Sequence, residues 1–217
     1  MEVILVYNFL DYDLVEVSDS GLIKVDMQYP KLGMDNAIDK CYLKKDVYER
    51  LKIASSYLPD EYTLVILDAY RPFELQKELF DKYFKIIEKK FHLENYNEID
   101  KNNFINKFVS IPNKNNPPAH TTGGAVDVTL LYNGYYLDLG CKFDEFCNRT
   151  YTNYYKDYKD LESISIHKNR IILYNSMIKA GFTNLDSEYW HYDYGNKNWA
   201  DITGENVLFN EMIKWNK

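Results

Sequence analysis

His120-Thr121-Thr122-Gly123-Gly124-Ala125-Val126-Asp127-Val128-Thr129-Leu130-Leu131 is the stretch from which the fold can be read. The glycine pair lets the backbone turn tightly. The alternation after it is that of a strand: Ala125, Asp127 and Thr129 share one face, and Val126, Val128 and Leu130 share the other. Asp127 therefore points away from the valines. If its side of the strand is a cleft, the turn at the glycines brings the His120 imidazole beside it. Just downstream, Asn133-Gly134 favours a type I′ hairpin turn because both positions tolerate positive φ, which predicts a second strand over Tyr135–Leu139 paired with Ala125–Leu131.

Working outward, Tyr62–Leu67 is an apolar run bounded by acidic and proline signals, read as a buried strand that feeds into Asp68-Ala69-Tyr70-Arg71-Pro72. Val3–Tyr7, Leu22–Val25 and the aromatic-rich Ser187–Tyr194 are further strands. Helical spacing predicts helices over Lys44–Tyr57 (Val47, Leu51, Ala54), Phe73–Phe91 (Leu75, Leu79, Tyr83, Ile87) and Asp160–Ala180 (Ile164, Ile171, Tyr174, Ile178), the last closed by Gly181. Asn95–Pro118 is rich in Asn and Lys and ends in Pro117-Pro118, with helix potential only over Phe104–Val109; it is a polar excursion, either a lid or binding loop or a passive surface insertion. Strands mixed with helices in unequal order indicate an α+β fold, and 217 residues suit a single domain spanning 1–217.

The 26 Lys+Arg stand against 33 Asp+Glu, a net charge of −7 that argues against a nucleic-acid partner, since phosphate binding rests on clustered cations. With 46% hydrophobic and 16% aromatic residues the chain can bury a real core. Its longest apolar runs, Val3–Val6 and Leu64–Leu67, are strand-sized and far short of the ~20 residues of a membrane span, so no membrane partner is expected. The N-terminus has no basic region or small-residue cleavage site. The odd cysteine count, Cys41, Cys141 and Cys147, fits no common zinc spacing. A reduced cytoplasmic location with buried, inert thiols is the expectation.

Only His92, His120, His167 and His191 are available to a histidine-based site, and the first and third have no matching partner. His191 lies in Glu188-Tyr189-Trp190-His191-Tyr192-Asp193-Tyr194. Residues three apart face opposite ways on a strand, so Glu188 and His191 meet only if Glu188 lies in the entering turn or on a bulge. Taken singly, His120 reads as a loop histidine, His191 as a satisfied core histidine, Glu188 as a solvated carboxylate and Arg71 as a structural partner of Asp68. Together with Asp127 they are the parts of a catalytic zinc centre: three protein ligands, an open position for water and a carboxylate beside it. In that reading Glu188 accepts the water proton and passes it to the leaving amine. Arg71, at a strand end fixed by Pro72, reaches into the cleft to stabilise an oxyanion.

The sequence resembles the D-alanyl-D-alanine dipeptidases of the VanX type, in the zinc peptidase group that also holds D-alanyl-D-alanine carboxypeptidases. The family pattern Ser-x-His-x-x-Gly-x-Ala-x-Asp appears as Pro118 to Asp127, with Pro118 in place of the serine; Glu-x-x-His appears as Glu188 to His191, and Tyr-Arg-Pro as Tyr70-Arg71-Pro72. Similarity extends to Val25–Tyr29, Met34-Asp35-Asn36 and Asp138–Asp144. The resemblance implies a small, mainly antiparallel sheet with helices packed around it and one Zn2+ per chain in a cleft over the sheet. It implies His120, Asp127 and His191 as zinc ligands, Glu188 as general base and Arg71 as transition-state stabiliser. Tyr29 and Asp144 match positions that line the family's small substrate pocket. The expected reaction is hydrolysis of a small dipeptide, D-Ala-D-Ala, to two D-alanines. The alternatives are a carboxypeptidase or endopeptidase acting on peptidoglycan stem peptides, and a non-catalytic, zinc-stabilised binding module. Loss of the serine hydroxyl at Pro118 bears on dipeptide preference and leaves the metal ligands untouched.

Overall fold

The strand periodicities organise the chain around one mainly antiparallel sheet. The computed structural model describes residues 12–213. In chain order they form β1 (Leu14–Val17), β2 (Ile23–Val25), α1 (Gln28–Lys31), β3 (Cys41–Lys44), α2 (Lys45–Ser56), β4 (Tyr62–Asp68), α3 (Phe73–Lys90), α4 (Glu98–Ile105), β5 (Ala125–Tyr132), β6 (Tyr135–Tyr136), α5 (Leu161–Lys179), β7 (Thr183–Asn184), β8 (His191–Asp193) and α6 (Lys197–Thr203). Short 3-10 turns cover Ala119–Thr122 and Asn148–Thr150. The larger sheet runs β2-β4-β5-β8-β7 with β6 attached to β5, and β1 pairs with β3 apart from it. Only β2–β4 is parallel among these pairs. The fold is α+β, as the sequence indicates.

The two faces of β5 have opposite fates. Val126, Val128 and Leu130, with Leu64 and Ile66 of β4, pack into the main core against Val47, Leu51 and Ala54 of α2 and Leu173 and Met177 of α5. Full burial of each large apolar side chain there contributes roughly 1.5–3 kcal/mol. The other face carries Asp127 and Thr129 beside a small cluster of Val65, Leu67 and Leu131. A second core, built from Leu75, Leu79, Tyr83 and Ile87 of α3 with Ile105 and Val109, stands across a cleft from that face. No helix among the described residues is long and apolar enough to cross a membrane.

Local signals behave as expected where they are strong. Asn133 and Gly134 both take positive φ, 49° and 82°, closing the predicted hairpin. Gly181 at φ 95° ends α5, with Gly181 N donating to Ile178 O and Phe182 N to Met177 O, a Schellman closure. Gly123 sits at φ 71°, where any other residue is strained, and a Cβ there would lie 2.9 Å from Leu14 Cδ2, which would have to shift.

Several expectations need correction. The strand over Tyr135–Leu139 is only Tyr135–Tyr136, because Asp138 Oδ1 accepts from Gly140 N at 2.8 Å and turns the chain away. Ser187–Tyr194 is a strand only over His191–Asp193; the residues before it form a turn. Helix in the polar excursion lies at Glu98–Ile105 and not over Phe104–Val109, because the Asn97 side chain caps it by accepting from Asp100 N at 3.0 Å. β3 was hidden in the sequence because it runs without a break into α2. Val3–Tyr7 lies outside the described residues. Cys41 is buried, whereas Cys141 and Cys147 are half-buried on the loop around Asp144; all three are free thiols.

Candidate metal centre and active site

Three neighbouring strands deliver the polar row. Asp127 of β5 is in register with Asp68 of β4 on one side and with His191 of β8 on the other. A bulge between Ile66 and Asp68 makes this possible, because it seats Asp68 opposite Asp127. His120 arrives from the 3-10 turn before β5, and its carbonyl accepts from Arg71 N at 3.1 Å, which ties the turn to the end of β4.

The resulting triangle is tight. His120 Nε2 lies 3.1 Å from His191 Nδ1, His191 Nδ1 lies 3.0 Å from Asp127 Oδ1, and His120 Nε2 lies 3.4 Å from that same oxygen. All three residues are buried, and they form a group that could hold a metal ion. For metal bonds of ~2.0–2.1 Å, ligand atoms in a tetrahedral site stand about 3.3–3.4 Å apart. The triangle has that size.

Outer contacts set the tautomers. His120 Nδ1 is 2.8 Å from Ala69 O; a carbonyl only accepts, so the proton is on Nδ1 and the lone pair of Nε2 faces the triangle. His191 Nε2 stands 3.2 Å from Asp193 Oδ2, too oblique for a hydrogen bond, and Asn196 Nδ2 donates to Asp193 Oδ1 at 2.5 Å. Burial alone would lower the His191 pKa, but Asp193 and Asp127 outweigh it and raise it well above the usual value. Burial would likewise raise Asp127, yet His120 and His191 hold its carboxyl well below the usual range. A nitrogen lone pair, a second imidazole and a carboxylate oxygen converging in a buried space attract positive charge. The mixed N/O donor set suits zinc.

Glu188 lies in the turn that enters β8: its N donates to Leu185 O at 2.9 Å, and His191 N donates to Glu188 O at 3.1 Å. This is the placement that the three-residue spacing required. Burial pushes its carboxyl up to about 8, opposed by His191 and Arg71. Arg71 is buried, and Asp68 takes both its Nε (3.1 Å) and Nη2 (2.7 Å). The structural pairing and the cleft position are therefore both true of Arg71. Its Nη2 also donates to Tyr29 Oη at 3.2 Å and its Nη1 to Gln76 Oε1 at 2.7 Å.

Farther along the cleft, Asp144 Oδ2 accepts from Tyr29 Oη and Tyr83 Oη, each at 2.9 Å. Burial raises the Asp144 pKa to about 6, against the opposing pull of Arg71 and the two tyrosines. All seven residues singled out in the sequence line or form one cleft, with a free volume of about 60 Å³, covered by residues 106–110. Sequence reading missed Tyr83, Gln76 and Asp193. Tyr83 and Gln76 looked like ordinary positions of an amphipathic helix. Asp193 was legible in principle, since a carboxylate two residues after His191 on a strand shares its face.

Fold and site together define a metal-dependent hydrolase with a cleft over a small α+β sheet. A family model described as D-ala-D-ala dipeptidase matches residues 31–207. The chain belongs to that family, and it is a zinc metallopeptidase of that type. A D-alanyl-D-alanine dipeptidase of Synechocystis sp. is 32% identical over 190 residues, covering 79% of this chain and 77% of that protein. One from Escherichia coli is 33% identical over 75 residues, 34% of this chain and 36% of that one. The zinc complex of a mutant of the vancomycin resistance D,D-pentapeptidase VanY superposes with a TM-score of 0.46 at 15% identity, over 80% of this chain and 85% of the other.

Proposed function

We propose that this protein hydrolyses a D,D-dipeptide, D-Ala-D-Ala in the first instance, to two free D-amino acids. The observation that carries the reading is the convergence on one small cleft of the His120–Asp127–His191 donors, the Glu188 carboxyl, the Arg71 guanidinium and the Asp144 carboxylate. A zinc ion held by His120, Asp127 and His191 would supply Lewis acidity and water acidified to a pKa of about 7.

The chain's own groups do the rest. Asp144, its Oδ2 held by two tyrosines, presents Oδ1 to the substrate ammonium. Glu188 takes a proton from the attacking water, whose oxygen bonds to the scissile carbonyl carbon; as the C–N bond breaks, the same carboxyl returns the proton to the leaving amine. With zinc held by His120, Asp127 and His191, the charged form of Glu188, the form that accepts a proton, would be favoured. Four of the five Arg71 N–H donors are taken by Asp68, Tyr29 and Gln76, which leaves one on Nη1 for the developing oxyanion. Pro118 and Ala119 bound the cleft without a side-chain donor, so Pro118 offers no hydroxyl to a substrate carboxylate.

The test is amine release from D-Ala-D-Ala, L-Ala-L-Ala and a stem pentapeptide, with and without a chelator. The expected result is turnover of the D,D-dipeptide alone, abolished by chelation and restored by zinc. Faster cleavage of the pentapeptide would overturn the dipeptidase assignment, and full activity of metal-free protein would overturn the zinc mechanism.

A further inference from the structure

Gln76 is fully buried in the first turns of α3, five residues beyond Arg71, and both ends of its amide are engaged. Oε1 accepts from Arg71 Nη1 at 2.7 Å, and Nε2 donates to Ser110 O at 2.7 Å. An arginine only donates and a carbonyl only accepts, so this arrangement fixes which end of the amide faces which partner. Ser110 belongs to the segment 106–111. That segment borders two spaces, the catalytic cleft of about 60 Å³ and an outer chamber of about 330 Å³; the two share Asn106, Ser110, Pro118, Ala119 and Asn198 as walls. The same segment leans on the Asp144 end of the cleft through rings: Phe108 meets Phe146 edge-on at 6.0 Å, and Phe146 meets Tyr83 at 4.8 Å. Ile111 N bonded to Asn106 Oδ1 at 2.9 Å closes the segment as a local turn, joined to the end of α4 by Phe108 N and Val109 N, which donate to Ile105 O at 2.9 and 3.0 Å.

We propose that Gln76 is a positioning residue that couples the placement of residues 106–111 over the cleft to the orientation of the Arg71 guanidinium. When the segment lifts, Ser110 O leaves, the amide loses a partner and Arg71 loses the restraint on Nη1. The cleft opens toward the outer chamber as the oxyanion donor on Nη1 loses its own restraint, the rest of the guanidinium staying on Asp68 through Nε and Nη2. A cleft opened for entry or exit is thereby held unready for catalysis. The role in turnover rests on the proposed dipeptidase reaction; the link between Gln76 and the segment does not.

Two variants of the full-length zinc protein separate the halves of the link. Gln76→Met keeps the volume and removes both hydrogen bonds. Gln76→Glu keeps an acceptor for Arg71 and removes the donor to Ser110. Hydrogen exchange of the 106–111 amides is expected to quicken at least fivefold in both. For D-Ala-D-Ala, KM is expected to rise several-fold in both, and kcat to fall about tenfold in Gln76→Met and less than threefold in Gln76→Glu. A space-filling role predicts a Gln76→Met protein with unchanged exchange and unchanged kcat, and that result overturns the proposal. Should Gln76→Met fail to fold, unchanged exchange in Gln76→Glu overturns it alone. If the wild type does not cleave D-Ala-D-Ala, the substrate reading fails while the exchange measurement still decides the link.

Discussion

Asp68, Asp127 and His191 occupy facing rungs of β4, β5 and β8, whereas Asp144, Tyr83 and Gln76 reach the same cleft from a loop and from α3. The first group is placed by backbone ladders that would persist if any one side chain were changed. The second is placed by single side-chain hydrogen bonds: two tyrosine hydroxyls on one carboxylate oxygen, one amide between an arginine and a carbonyl. On the proposed reading, the chemistry is built into the sheet and recognition is built onto it. Substitutions in the second wall, at Asp144 or Tyr83, should change which molecule is held, and substitutions in the first, in the sheet, should change what is done to it; Gln76, which holds Arg71, joins the two.

The sharpest test of that division is Glu188→Ala, expected to lower kcat by about 10³–10⁴ while zinc stoichiometry, measured by metal analysis, stays at one. Loss of zinc would show that Glu188 supports the ligands and break the comparison at its base.

Next is Asp144→Asn, expected to lower kcat/KM by about 30- to 100-fold, through KM, as a charge-assisted bond to the ammonium is lost. Burial raises the Asp144 pKa, to about 6 without metal, so wild-type kcat/KM is expected to fall toward acid pH as Asp144 is protonated, and the variant lacks that limb. The folded pKa is raised above the unfolded value of about 3.9, so the native state binds this proton more tightly, and ionising the group costs stability as pH rises from about 4 through 6. Metal-free Asp144→Asn should melt above wild type at pH 7.5 and level with it at pH 4; the reverse order would refute the burial account.

Asp193→Ala removes the carboxylate facing His191 Nε2 and should weaken zinc binding about 10- to 100-fold in a competition titration, with KM of the fully loaded enzyme unchanged. Smallest is Tyr83→Phe, which deletes one of two donors to Asp144: KM should rise about three- to tenfold with kcat and zinc affinity constant. A change in zinc affinity there would mean the two walls are not separable.

The division also explains what could be read in advance. The placement of His120, Asp127 and His191 was legible because a turn with a glycine pair and a two-residue strand period fix side-chain direction locally; for Glu188 the strand period pointed the other way, and only its place in the turn entering β8 brings it to the cleft. The place of Arg71 at a strand end beside the cleft was legible, as was its pairing with Asp68, and the structure has both. Tyr83 and Gln76 were not legible, since their spacing along α3 is that of any buried helical stripe and their partners, Asp144 and Ser110, lie 61 and 34 residues away. The excursion over 95–118 misled for a similar reason: the cap at Asn97 is a single side-chain bond, weaker as a signal than the apolar pair Phe104 and Phe108 that it outcompetes.

The irregularity between Ile66 and Asp68 bears on how this scaffold can be edited. Pairing β4 as a regular strand, with every residue kept and none bulged out, would slide Leu67 into the position opposite Asp127 and turn Asp68 toward the other face, carrying Arg71 with it. A graft of this cleft onto a neater sheet would have to copy that extra residue before copying any ligand, and length variation among natural homologues should be found in the loops and not between Tyr62 and Pro72.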